Sequence, residues 1–144
     1  MADYAHVLLA VDFSAATDDL VQRAVDVAKR YQAKLSLVHV VEPMIIDPSY
    51  DVFPAVPLGM EQEAVDKSLV ELQKLGQRYG IGADSCSVRI GSTKTEILSL
   101  AASLGIDLIV VGSHGRHGVA LLLGSTANAV LHGAPCDVLA VRIK

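Results

Sequence analysis

Asp107-Leu-Ile-Val-Val-Gly112-Ser-His-Gly115-Arg-His-Gly118-Val-Ala-Leu-Leu-Leu-Gly124-Ser-Thr-Ala-Asn128 decides how the rest of this chain is read. Leu108 to Val111 is a short apolar run rich in β-branched residues, the pattern of a strand buried on both faces. It stops at Gly112, and Gly112, Gly115 and Gly118 fall within seven residues. Glycine admits positive φ and lets a ligand approach the main chain. Successive N–H groups in such a turn form an anion-binding concavity. Ser125 reads as the N-cap of a helix that runs to His132, with free N–H groups and a positive dipole end. Arg116 adds a full positive charge. A phosphate is the guest this pattern fits, although a glycine-rich crossover that binds nothing has the same spacing.

The segments before it alternate in kind. His6 to Val11 is an apolar run ending at Asp12, the first strand. Leu20, Val21, Ala24, Val25, Ala28 and Tyr31 recur at three and four, a helix capped by Ser14 or Thr17. Its acidic start (Asp18, Asp19) and basic end (Lys29, Arg30) suit the macrodipole. Leu35 to Val41 is a second strand. Glu42 to Gly59 carries four of the five prolines, which excludes regular structure. Its apolar residues (Ile45, Ile46, Tyr50, Val52, Phe53) mark it as a lid over the domain's own core, a lid over a ligand, or a partner contact. Met60 to Tyr79 is a helix with a Glu63–Lys67 ion pair, weakened near its end by Gly76. Ser85 to Ile90 alternates as a half-exposed strand. Thr93 and Glu96 form a capping box for a helix to Leu104. After the glycine stretch and its helix, Gly133-Ala-Pro135 breaks the chain, and Asp137 to Ile143 is the last strand.

Strands alternating with helices imply a single domain, 1–144, with a parallel sheet and helices on both faces. In such a sheet ligands sit beyond the carboxyl ends of the strands, where the strand order reverses. With strands one and four adjacent there, Asp12 faces Gly112 across the crevice.

At 144 residues the chain can bury a sizeable core. Mean hydropathy is +0.42, yet no apolar run approaches the ~18 residues a spanning helix needs. Asp3, Tyr4 and His6 interrupt any secretory leader, so a cytoplasmic protein is expected. The net charge of −4, with scattered basic residues, argues against general nucleic-acid binding. Cys86 and Cys136 stand outside any ligand pattern and read as reduced core thiols.

His6-Val-Leu-Leu-Ala-Val-Asp-Phe-Ser14, Ser36-Leu-Val-His-Val40, Asp107 to His117, Gly124-Ser-Thr-Ala-Asn-Ala-Val130 and Pro135 to Val141 together resemble the universal stress protein family in its short, single-domain form. The resemblance covers nearly the whole chain. It implies an open, Rossmann-like, five-stranded parallel sheet of order 3-2-1-4-5, and a homodimer through the last strand, 138–143. One branch of the family binds ATP or a related adenine nucleotide. Another, the universal stress protein A type, lacks that site. The binding pattern is Gly, two residues, Gly, nine residues, then Gly followed by Ser or Thr. Here Gly112, Gly115, Gly124 and Ser125 match, with eight residues, Arg116 to Leu123, in the long gap. Such a deletion displaces an extended chain by up to ~3.5 Å. By resemblance Asp12 lies near ribose, phosphate and Mg, and Val40 near adenine. Arg116 and Thr126 join the glycines and Ser125 around the phosphates of ATP, ADP or AMP.

Other chemistries fit less well. Gly91-Ser-Thr-Lys-Thr95 lacks the spacing of a P-loop. His114 and His117 lack a third metal ligand, and Ser113 lacks a triad. Asp12 has a purely local alternative role, accepting from the backbone near Ser14. The leading reading is a nucleotide-responsive binding module. The alternatives are a nucleotide-free dimeric interaction protein and a slow ATPase using Asp12 or His117.

Overall fold

In the computed structural model, which describes residues 3–43, 59–113 and 125–142, the apolar runs pair as parallel strands and the amphipathic segments cover them. The elements are β1 (His6–Ala10), α1 (Thr17–Tyr31), β2 (Lys34–Val41), α2 (Glu61–Arg78), β3 (Cys86–Ile90), α3 (Thr93–Leu104), β4 (Leu108–Gly112), α4 (Ser125–Gly133) and β5 (Asp137–Val141). A short 3₁₀ turn, Ala83–Ser85, precedes β3. All pairings are parallel, in the order β3-β2-β1-β4-β5. The expected architecture is therefore the observed one.

Strand side chains alternate between faces, and the core divides accordingly. Val7, Leu9, Val11, Leu37, Leu108 and Val110 pack under α1 and α2. Leu8, Val38, Val40, Ile109 and Val111 pack under α3 and α4. This explains why the central strands read as continuous apolar runs: each side chain, whichever way it points, meets a helix.

Several local expectations are corrected. The cap of α1 is Ala16, not Ser14 or Thr17, and no side chain caps it. Ser14 contributes its carbonyl to the Thr17 N–H (3.1 Å). Among the described residues the buried Ser14 and Thr17 hydroxyls meet no hydrogen-bond partner. The Glu63–Lys67 pair does not form. On that helix Gln62 donates instead to Asp66, four residues on, at 2.8 Å. Tyr31 is 41% exposed, lying edge-on to Tyr4 with 4.8 Å between ring centroids. Gly76 lies near the end of α2, as expected, and has a packing role as well. It is buried inside α2, where a Cβ would stand 3.1 Å from Cys86 Sγ and 3.2 Å from the Ile81 carbonyl.

The capping box of α3 is also replaced. Its cap is Ser92, whose side chain makes no cap bond. The Glu42 carboxylate, 51 residues earlier, accepts from both the Thr93 N–H (3.3 Å) and the Thr93 hydroxyl. Glu96 is taken by Arg89, Nε to Oε1 at 3.1 Å.

At the amino end of the sheet, Asp107 precedes β4 and accepts from the Ala5 and His6 N–H groups at 2.9 and 3.1 Å. Its own N–H donates to the His6 carbonyl at 3.1 Å. A residue that sequence marks only as the start of a strand thus ties β4 to β1. Cys86 is buried and Cys136 partly so, both as free thiols. Burial pushes both thiols up from their ordinary value, away from the nucleophilic thiolate.

Candidate functional site at the carboxyl ends of β1, β2 and β4

The strand order reverses between β1 and β4. β1 is linked to β2 on one side, and β4 continues to β5 on the other. The register Leu9↔Val110 carries the ends of both strands to the same level, so the residues after Ala10 and Val111 face each other across the crevice.

On the β1 side, Val11 is held twice by β2. Its N–H donates to the Val38 carbonyl at 2.8 Å. Its carbonyl accepts from His39 Nδ1 at 2.6 Å, which requires the hydrogen to be on Nδ1, since a carbonyl only accepts. Asp12 Oδ1 accepts the Ser14 N–H at 2.9 Å, an Asx turn, as its local reading anticipates. Between them Phe13 adopts φ 55°, in the left-handed region. For a residue with a Cβ this costs about 1–2 kcal/mol. Its ring lies 4.6 Å from the His39 ring at 50°.

On the β4 side, Gly112 is the last strand residue, and the Ser113 N–H donates to the Val141 carbonyl at 2.7 Å. Val40 sits one strand further over. Its side chain is 9% exposed and packs in the core with Ala127 of α4, so it can offer a ligand its main chain rather than an open side chain. Ser125 and Thr126 open α4. Gly115, Arg116 and Gly124 lie outside the described residues, as do the histidines of the glycine stretch and most of the Pro-rich segment. The described members of the expected set thus lie in the turn after β1 (Asp12), near the end of β2 (Val40), at the end of β4 (Gly112) and at the start of α4 (Ser125, Thr126).

His39 and Phe13 have no assigned role in the sequence reading. The signal for His39 is its place two residues after Leu37 in β2, which turns it toward the α1 face at the strand's carboxyl end. The unusual φ of Phe13 has no sequence signal. A concavity of about 360 Å³ opens elsewhere, at the amino end of β2, lined by Val25, Ala28, Gln32, Leu35, Tyr79 and Ile81. Its lining is mostly aliphatic, with Lys29 its one charged side chain, so the crevice, where a carboxylate turn and a strand-end glycine converge, is the better candidate despite the other's volume. Among the described residues no group of three or more His, Cys, Asp or Glu is placed to hold a metal ion.

Such a sheet, with a carboxylate turn after its first strand and a glycine at the end of the strand beside it, defines an open parallel α/β domain with its strand order reversing between β1 and β4. The family model of the universal stress protein family matches residues 3–142. The chain belongs to that family. It is 42% identical over 147 residues to Universal stress protein A homolog 2 of Coxiella burnetii, covering 100% of this chain and 99% of the relative. Among solved structures it resembles universal stress protein UspA of Lactobacillus plantarum (TM-score 0.66, 31% identity, 99% of this chain and 100% of the other). It also resembles a universal stress protein solved in complex with cAMP (TM-score 0.63, 26% identity, 97% and 98% covered). No helix among the described residues is long and apolar enough to cross a membrane.

Proposed function

We propose that this protein is a cytoplasmic binding module that holds an adenine nucleotide in the crevice between β1 and β4 and responds to it by biasing its contacts with partners. The observation that carries this reading is the juxtaposition of Asp12, fixed by its own turn, with the strand-end Gly112 at the reversal of strand order. The donor set fits the ligand. A carboxylate held in place by its turn suits ribose hydroxyls or a nucleotide-bound Mg²⁺. Main chain at Val40 suits a purine edge, and a glycine strand end admits close approach. In this reading Gly115, Arg116, Gly124, Ser125 and Thr126 surround the phosphates. The cAMP complex of the relative is in keeping with a purine ligand.

The test is isothermal titration with MgATP, ADP, AMP and cAMP, on wild type, Asp12→Ala and Gly115→Val, with folding checked by circular dichroism. Loss of a charged hydrogen bond raises Kd roughly ten- to a hundredfold in Asp12→Ala. Silence from all four ligands with folded wild type would sink the reading. Phosphate release above the buffer rate would move it to a slow ATPase.

The eight-residue gap and the position of β5 favour a second reading, a nucleotide-free homodimer through residues 138–143. β5 is a sheet edge, a template for another strand. Val141 directs its carbonyl to Ser113 on the β4 side, so the alternating residues Val138 and Ala140 direct their backbone groups outward. Ala140→Pro removes an outward N–H and leaves the β4 ladder intact. The expected result by sedimentation is dimeric wild type and monomeric variant. A wild type that stays monomeric at all concentrations rules this reading out.

A further inference from the structure

We infer that His39 is a positioning residue of the crevice, gripping both neighbours of Asp12 and thereby fixing where that carboxylate stands. The β1 ladder ends at Ala10, yet β2 keeps hold of the chain one residue further. It does so from both sides of the residue: the Val11 N–H donates to the Val38 carbonyl at 2.8 Å, and His39 Nδ1–H, a side chain, donates to the Val11 carbonyl at 2.6 Å. The same imidazole lies 4.6 Å from the ring of Phe13. Val11 immediately precedes Asp12 and Phe13 immediately follows it. One side chain from the adjacent strand therefore touches the chain on both sides of the candidate ligand-binding residue.

Phe13 shows why such a grip is needed. A phenylalanine with φ 55° leaves that conformation unless its surroundings hold it. The Asx bond from the Ser14 N–H to Asp12 Oδ1 at 2.9 Å and the ring packing on His39 help to do so here. The left-handed residue sends the chain from the end of β1 toward α1, and the Asx bond closes only while that bend persists. His39 thus supports the Asp12 turn without occupying the ligand's place. Val40, the next residue of β2, points to the opposite face and joins the core under α3 and α4, so consecutive residues of one strand serve the two faces of the sheet. The effect on affinity rests on the nucleotide reading above. The effect on the turn does not.

The experiment uses the full chain with His39→Leu, His39→Asn and Asp12→Asn. The leucine removes the donor. The asparagine places an amide nitrogen close to the position of Nδ1, restoring a donor without the ring. The turn is read by hydrogen exchange of the Ser14 amide, with Leu37 and Val110 amides as core controls. The expected result is roughly tenfold faster Ser14 exchange in His39→Leu, an intermediate rate in His39→Asn, and unchanged controls. MgATP affinity falls by about the same factor in His39→Leu, and falls no further when His39→Leu is added to Asp12→Asn, because the histidine acts through that carboxylate. Unchanged Ser14 exchange in folded His39→Leu would overturn the inference, as would an equal affinity loss in both backgrounds. If His39→Leu does not fold, His39→Asn decides by the same Ser14 readout. If wild type binds no nucleotide, the functional reading falls and Ser14 exchange alone decides the role of His39.

Discussion

Gly76→Ala sets two effects of opposite sign against each other. In an exposed helix, alanine for glycine stabilises by about 1 kcal/mol. Gly76, however, is a buried position of α2. A Cβ there would meet Cys86 Sγ at 3.1 Å, the Ile81 carbonyl oxygen at 3.2 Å and Ile81 Cβ at 3.5 Å. The first two are tighter than ordinary contact, and the carbonyl cannot retreat cheaply. The Ile81 N–H donates to the Gly76 carbonyl at 2.8 Å, so the exit from α2 is tied back onto the glycine itself. Forcing a methyl group into a filled site costs about 1–3 kcal/mol. The overpacking exceeds the propensity gain, and the net expectation is a loss of about 1 kcal/mol. Urea unfolding followed by circular dichroism reads this as a lower midpoint with an unchanged m-value. Adding Cys86→Ala removes the Sγ contact but not the carbonyl contact, so the double variant loses less than the sum of the single changes. A Gly76→Ala protein more stable than wild type by about 1 kcal/mol would refute the reasoning, because propensity alone would then decide and α2 would not approach β3 this closely.

Asp107→Ala removes the acceptor of the exposed Ala5 N–H and the half-buried His6 N–H, and urea unfolding is expected to show a loss of about 1–2 kcal/mol, with Asp107→Asn losing less. Leu37→Ala, at a fully buried position of a central strand, is expected to cost about 2–5 kcal/mol by the same assay while leaving the fold intact by circular dichroism. His6 provides a pH test: burial first, then the nearby Lys34, hold its imidazole below the usual histidine value, against smaller raising effects of the Leu104 backbone and Asp107. The neutral ring meets the Ser36 hydroxyl at 2.8 Å. Since the unfolded chain takes up the proton more readily, the stability from neutral His6 is complete above about pH 6.5 and is lost as pH falls through the lower folded value. His6→Gln should flatten the decline in unfolding midpoint between about pH 7 and pH 5, and an unaltered slope would show that His6 does not govern it.

Much of the fold was legible because burial leaves a local, periodic trace. Leu108 to Val111 is apolar at every position since both faces of β4 meet helices, and the three-and-four recurrence from Leu20 to Ala28 marks the buried side of α1. The strand order was read from the family resemblance of whole motifs, not from periodicity. Asp12 and Gly112 could be placed opposite each other because parallel strands deliver their carboxyl ends to one edge. Polar partners were legible only where they were close in sequence, as with Asp12 and Ser14. Thr93 and Glu96 have the spacing of a capping box, but Glu42 and Arg89 reach those groups across space and displace it. The role of His39 depends on β2 lying beside β1, 28 residues away in sequence from the carbonyl it holds. Gly76 shows the same division: sequence records a helix-weakening residue, and only the approach of Cys86 explains why it is there. The sequence by itself determined which elements form and which faces they bury, because hydrophobic burial is non-directional and repeats with the geometry of each element. Only the tertiary structure decided which donor meets which acceptor, because a hydrogen bond requires specific atoms within a few tenths of an ångström, and residues far apart in the chain compete to supply them.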